Sequence, residues 1–134
     1  MKKTVISNSI YIISSIIAST NKLYFFSFTI FFQGIISAMA HYYNSSTLFM
    51  IDYIFVFINF FYGYTQCFLA DNRLTQKIIA NIINIISAYF YFNKSNYEYN
   101  HSIWHLLNGS ASIIVSLYGE SEEKIYNKLK NRFL

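Results

Sequence analysis

The chain has 134 residues, of which 54% are hydrophobic, 21% aromatic and 12% charged, with no proline and a net charge of +4. That length holds one domain, and so few charges exclude a soluble domain with ample polar surface. The positive balance does not point to nucleic acid, because the basic residues flank apolar runs instead of forming a patch, which is how membrane topology uses them.

Five apolar segments follow in order: 5–19, 23–43, 48–70, 78–92 and 101–118. A bilayer core takes roughly 20 helical residues, so the second, third and fifth segments qualify most readily. Segment 5–19 carries Ser7, Asn8 and Ser9 and follows Met1-Lys2-Lys3, which also fits a signal peptide. Its small-residue stretch Ile17-Ala18-Ser19-Thr20 runs straight into the next apolar segment, which favours an uncleaved span. Segment 78–92 is short and carries Asn81 and Asn84. The single cysteine, Cys67, has no partner for an internal disulfide. The reading is an all-α integral membrane helical bundle of about five transmembrane helices over residues 1–119, with a polar tail helix over 120–134 lying on the membrane surface.

The short loops make neighbouring helices antiparallel. Lys2, Lys3 and Lys94 then share one side, while Lys22, Arg73, Lys77, Lys124, Lys128, Lys130 and Arg132 share the other. The excess places the tail in the cytoplasm. The sequons at Asn44 and Asn93 fall on the opposite side, too close to the membrane for glycosylation.

All three histidines land at that opposite end. His41 closes the second segment, Asp52 opens the third, and His101 opens the fifth. Ser37 and His105 lie one turn deeper, on the same helix faces as His41 and His101. Three imidazoles match the ligand count of a catalytic zinc, which leaves a position for water and lowers that water's pKa to around 7. Asp52 is placed to hold the water and take its proton, and Ser37 to donate to a developing oxyanion. A haem held by two histidines is the other metal reading; it needs neither the third imidazole nor the aspartate. Asp71 reads as a solvated loop residue near Arg73. Trp104, Tyr42, Tyr43, Tyr97 and Tyr99 read as an interfacial belt, and residues 108–112 as a close-packing helix face.

Ser37-x3-His41, Asp52 eleven residues later, and His101-x3-His105 in the last span resemble the CREST superfamily of membrane hydrolases. This group includes alkaline ceramidases, progestin and adipoQ receptors, and lipid-remodelling enzymes of glycosylphosphatidylinositol anchors. The run Tyr97-Glu98-Tyr99-Asn100-His101-Ser102-Ile103-Trp104-His105, and Leu69-Ala70-Asp71 at the end of the third span, are similar to the myomaker-like and GPI-phospholipase branch. The resemblance covers roughly residues 32–118. It implies Zn2+ on His41, His101 and His105, with Asp52 and Ser37 around the metal-bound water. It also implies hydrolysis of an ester or amide bond in a membrane lipid. The family has seven spans and this chain five, two being absent between Asp71 and His101, which leaves room for two chains to assemble one chamber. A non-enzymatic alternative keeps the zinc as a structural clasp in a fusion or scaffold protein, as myomaker-like proteins do. A small pore or scaffold without metal is the third reading.

Overall fold

In a computed structural model, residues 3–71, 74–93 and 95–133 are described. Lys2, Arg73 and Lys94, three of the charges in the orientation argument, lie outside them. Every regular element among the described residues is a helix: α1 Lys3–Ser7, α2 Ser9–Thr20, α3 Tyr24–Tyr43, α4 Ser46–Leu69, α5 Leu74–Phe92, α6 Tyr97–Tyr118 and α7 Glu122–Phe133. Each of the five apolar segments forms helix, and the tail forms α7.

The first segment is split because Asn8 turns its side chain back on the backbone. Its Nδ2 donates to the Thr4 carbonyl at 2.8 Å, and the Ser7 hydroxyl donates to the same carbonyl at 3.0 Å. Short polar side chains that bond their own backbone compete with the helical ladder.

The α3–α4 hairpin is two residues long and is capped on both sides. Asn44 ends α3 in the left-handed conformation at φ 53°, a region that asparagine tolerates better than most residues. The Ser45 hydroxyl accepts from Leu48 N at the start of α4. This turn holds His41 and Asp52 at one end of the molecule. Asn96 plays the same N-capping part for α6, accepting from Tyr99 N.

Helix α6 is central and packs on α1, α2, α4 and α5, while α3 packs between α2 and α4. Two glycines let α2 approach α6 and α3 closely. A Cβ on Gly109 would sit 2.3 Å from Ile10 Cγ2, and one on Gly34 would sit 3.0 Å from Tyr11 Cβ. Close approach at small residues is how helices gain contact without a hydrophobic driving force between them. The close-packing reading of residues 108–112 therefore holds at Gly109.

The burial pattern is inverted relative to a helix in water. In α4 the buried positions are Asp52, Asn59, Gln66 and Leu69, whereas Met50, Tyr53, Ile54, Phe57, Phe60, Phe61, Tyr64 and Phe68 are exposed. Asn59 is satisfied inside: it accepts from the Thr29 hydroxyl and donates to Gln33 Oε1. By length and composition, α3 and α4 are the two helices among the described residues that are long and apolar enough to cross a membrane.

At the far end the tail is latched down. Gln66 donates to the Glu120 carbonyl at 3.1 Å and accepts from Glu120 N at 3.0 Å. Glu122 accepts from Phe25 N at 2.6 Å, capping the start of α3, and from the Tyr62 hydroxyl at 3.3 Å. Lys128 pairs with both Asp71 and Glu120 at 2.7 Å. Asp71 is thus the exposed loop residue expected, and Lys128 is its partner.

Candidate metal centre

The i, i+4 spacing on α3 and α6 puts four candidate residues on two facing helix surfaces, and the hairpin adds Asp52 from α4. His41, His101 and His105 are all buried, and their ligand nitrogens lie within 4.8 Å of one another. His41 Nε2 is 3.1 Å from His101 Nε2 and 3.2 Å from His105 Nε2. Three nitrogens on a tetrahedral zinc at about 2.05 Å stand roughly 3.3 Å apart. The two contacts to His41 are close to that figure, while the full set of three spreads to 4.8 Å.

Hydrogen bonding alone serves this arrangement poorly. A ring nitrogen carries either one proton or one lone pair in the ring plane. His41 Nε2 faces two other Nε2 atoms, so one tautomer satisfies one contact well and leaves the second short-changed. A shared cation meets all three lone pairs. His105 is fully buried, and its other nitrogen, Nδ1, lies 3.4 Å from the Tyr11 hydroxyl. With Nε2 turned to a metal, Nδ1 carries the proton and donates to Tyr11, the outer partner that ligating histidines usually have.

Ser37 and Asp52 sit beside this cluster. Ser37 is fully buried and Asp52 nearly so, and the serine hydroxyl faces the carboxyl group. Neither Ser37 Oγ nor Asp52 Oδ1 completes a hydrogen bond of ordinary geometry among the described residues. The Asp52 carboxyl group lies near the hydroxyls of Tyr11, Tyr91 and Tyr97. Each of those rings touches a cluster histidine: Tyr11 bonds His105, Tyr97 stacks on His101 at 4.9 Å, and Tyr91 lies 6.2 Å from His101. All five residues singled out in the sequence therefore converge at one end. A surface pocket of ≈ 440 Å³ bordered by Thr4, His41, Asn44 and Glu98 reaches His41 from that end.

Trp104 departs from expectation. It is 7% exposed and does not belong to an interfacial belt. Its ring packs on His105 at 4.6 Å and on His101 at 4.9 Å. Spacing explains this, since Trp104 adjoins His105 and lies three residues after His101. Tyr42, Tyr43, Tyr97 and Tyr99 are exposed as expected. Tyr11 was not visible as a site residue: nothing local marks it out among thirteen tyrosines.

Comparison of the chain with family models, curated proteins and solved structures finds no match.

Proposed function

We propose that this chain is a multi-span membrane protein whose three-histidine centre holds zinc and hydrolyses an ester or amide bond in a membrane lipid. The observation that carries the reading is the convergence of three buried imidazoles, with His41 Nε2 at 3.1–3.2 Å from the Nε2 of each of the other two and all three within 4.8 Å. Beside them lie a buried carboxylate and a buried hydroxyl with hydrogen-bonding capacity left over. Orphaned buried polar atoms each cost about 1–3 kcal/mol, so groups held this way serve something other than stability. The resemblance to CREST-type hydrolases supports the same roles for the same five residues.

Five spans are supported by helix lengths and by inverted burial. At 1.5 Å per residue, α1 with α2 covers about 27 Å, α5 about 28 Å, α3 about 30 Å, α6 about 33 Å and α4 about 36 Å, against a hydrocarbon core of about 30 Å. The metal centre then lies near the face opposite the tail, and the tail is cytoplasmic.

When bound, zinc supplies Lewis acidity toward water and the substrate carbonyl. His41, His101 and His105 hold it as neutral imidazoles, and Tyr11 fixes the ring orientation of His105. Asp52 orients the attacking water and accepts its proton. Ser37 donates to the oxygen that gains charge as the carbonyl is attacked. Water enters through the pocket at His41, and the acyl carbon–oxygen or carbon–nitrogen bond breaks as the proton passes to the leaving group.

The test is Asp52→Asn, with bound zinc and lipid hydrolysis both measured on purified protein. The substitution should leave zinc per chain unchanged and lower turnover roughly 10²–10⁴-fold, the usual worth of a positioned base. Unchanged turnover, or a wild-type protein that binds zinc yet hydrolyses no lipid while its cellular activity survives the substitution, would replace the enzyme with a structural clasp.

A further inference from the structure

A cleft of ≈ 230 Å³ runs between α4 and α5 with α6 as its floor. Phe57 and Phe60 form one wall and Ala88 and Phe92 the other, while Trp104 and Asn108 rise from the floor. Trp104 is also packed on two cluster histidines, so the cleft is separated from the metal centre by the thickness of one ring. A second cavity of ≈ 60 Å³ adjoins it, and Asn84 and Asn108 border both.

Those two asparagines are out of character with the walls. Asn108 faces the Tyr11 hydroxyl without completing a hydrogen bond of ordinary geometry. Asn84 makes no hydrogen bond among the described residues, although its carboxamide offers both donors and an acceptor. A polar group without a partner is costly beside hydrocarbon and marks a functional position in a membrane bundle. The cleft is smaller than the roughly 300–1,000 Å³ of drug-sized ligand pockets, which suits one thin chain.

We infer that the cleft takes a single acyl chain and that Asn84 and Asn108 recognise a group on it that both donates and accepts a hydrogen bond, a secondary amide or a hydroxyl. The inference rests on the lipid-hydrolase reading only for where the reacting carbonyl sits, at the histidines. Asn108 follows His105 by three residues, so the recognised group lies about 4.5 Å deeper along the chain. A plain ester offers only acceptors and leaves the carboxamide donors and acceptors half matched. An amide or hydroxyl fits both.

Trp104 is the only tryptophan in the chain and lines the cleft, which provides a direct readout. Three probes share one brominated fatty-acyl methyl ester: the plain chain, the chain carrying a hydroxyl about 4.5 Å below the ester carbonyl, and the chain interrupted by a secondary amide at that same depth. Each is titrated into purified full-length protein, and quenching of Trp104 fluorescence is followed. The amide or the hydroxy ester should reach half-quenching at a concentration roughly 3- to 10-fold below the plain ester, the worth of one neutral hydrogen bond. Asn84→Leu and Asn108→Leu should each erase most of that preference while the plain ester still quenches; Asn84→Ala serves if the leucine variant does not fold. Equal quenching by all three probes, a preference that survives both substitutions, or no quenching at all would overturn the inference. Preferential quenching without any hydrolysis would uphold it and reject the enzyme reading, whereas hydrolysis without preference would do the reverse.

Discussion

Replacing His105 with alanine separates metal binding from packing, because the two costs respond differently to added zinc. His105 is fully buried, with its ring against Tyr11, His41, His101 and Trp104. Removing a ring of that size from a closed site costs about 3–5 kcal/mol through lost contacts and the cavity left behind. The Tyr11 hydroxyl also loses its partner, which adds up to about 1–3 kcal/mol if no water replaces it. These costs are present with or without metal.

The metal contribution is the part that zinc concentration controls. At a hundredfold excess over its dissociation constant, zinc stabilises the wild-type fold by about 2.7 kcal/mol. Losing one of three ligands and weakening affinity at least a hundredfold cuts that gain to about 0.4 kcal/mol or less at the same zinc concentration. The assay is unfolding of the detergent-solubilised protein with and without zinc, alongside metal per chain by mass spectrometry. The wild type should gain stability on zinc addition and His105→Ala should not. If the variant keeps the full zinc-dependent gain, His105 is not a ligand; if the wild type shows no gain and holds no metal, the centre is a packed histidine cluster.

Three further outcomes follow from the same geometry. Ser37→Ala removes a buried hydroxyl that completes no hydrogen bond of ordinary geometry among the described residues, so thermal stability should be unchanged or rise by up to about 1 kcal/mol. Turnover should nonetheless fall, by up to the roughly 10²–10³-fold worth of an oxyanion donor; loss of stability with full activity would contradict the assignment. Gly109→Ala places a methyl 2.3 Å from Ile10 Cγ2, an overpacking cost of about 1–3 kcal/mol. Adding Ile10→Ala should recover part of it, and purely additive losses in a double-mutant cycle would argue against that contact. The Lys128 hydrogen bond, and then its charge, hold the Asp71 carboxyl below the usual carboxylate range. A depressed folded value means that the interaction contributes fully above the unfolded pKa of about 3.9 and is lost as pH falls through the lowered value. Protease release of α7 should therefore rise only at strongly acidic pH, and Lys128→Met should raise release already at neutral pH and flatten that acid rise; a pH profile that ignores Lys128 would refute the latch.

Helix positions and the site residues were legible because their signals are local. Apolar runs mark five segments, and i, i+4 spacing marks which histidine and serine share a face. Alternation of short-looped helices then brings His41, Asp52 and His101 to one end. The rest depends on contacts between distant residues. Asn8 splits the first helix through bonds that its neighbours do not announce. Tyr11 reaches His105 only because α2 closes on α6 at Gly109. Trp104 was assigned to an interface from its residue type, while its position beside His105 and three after His101 turns it inward. Asn81 and Asn84 weaken segment 78–92 as a span when counted by hydropathy, yet both line a cavity against α6 and neither has to face lipid.

The polar stripe of α4 ties these parts into one design. Asp52, Asn59 and Gln66 recur every seven residues, a period that drifts only about 20° per repeat around a straight helix. They therefore share one face, and that face is buried along its whole length. At the top Asp52 lies at the end that holds the three histidines. In the middle Asn59 joins α3 through Thr29 and Gln33. At the bottom Gln66 clamps Glu120 at the root of the tail. A rotation of α4 that carried Asp52 away from the histidines would also strand Asn59 and Gln66 among exposed aromatic side chains, where unpaired carboxamides are most expensive in hydrocarbon. The facing of α4 is thus set at three levels at once, and the depth and orientation of the Asp52 carboxyl group follow from polar satisfaction as much as from apolar packing.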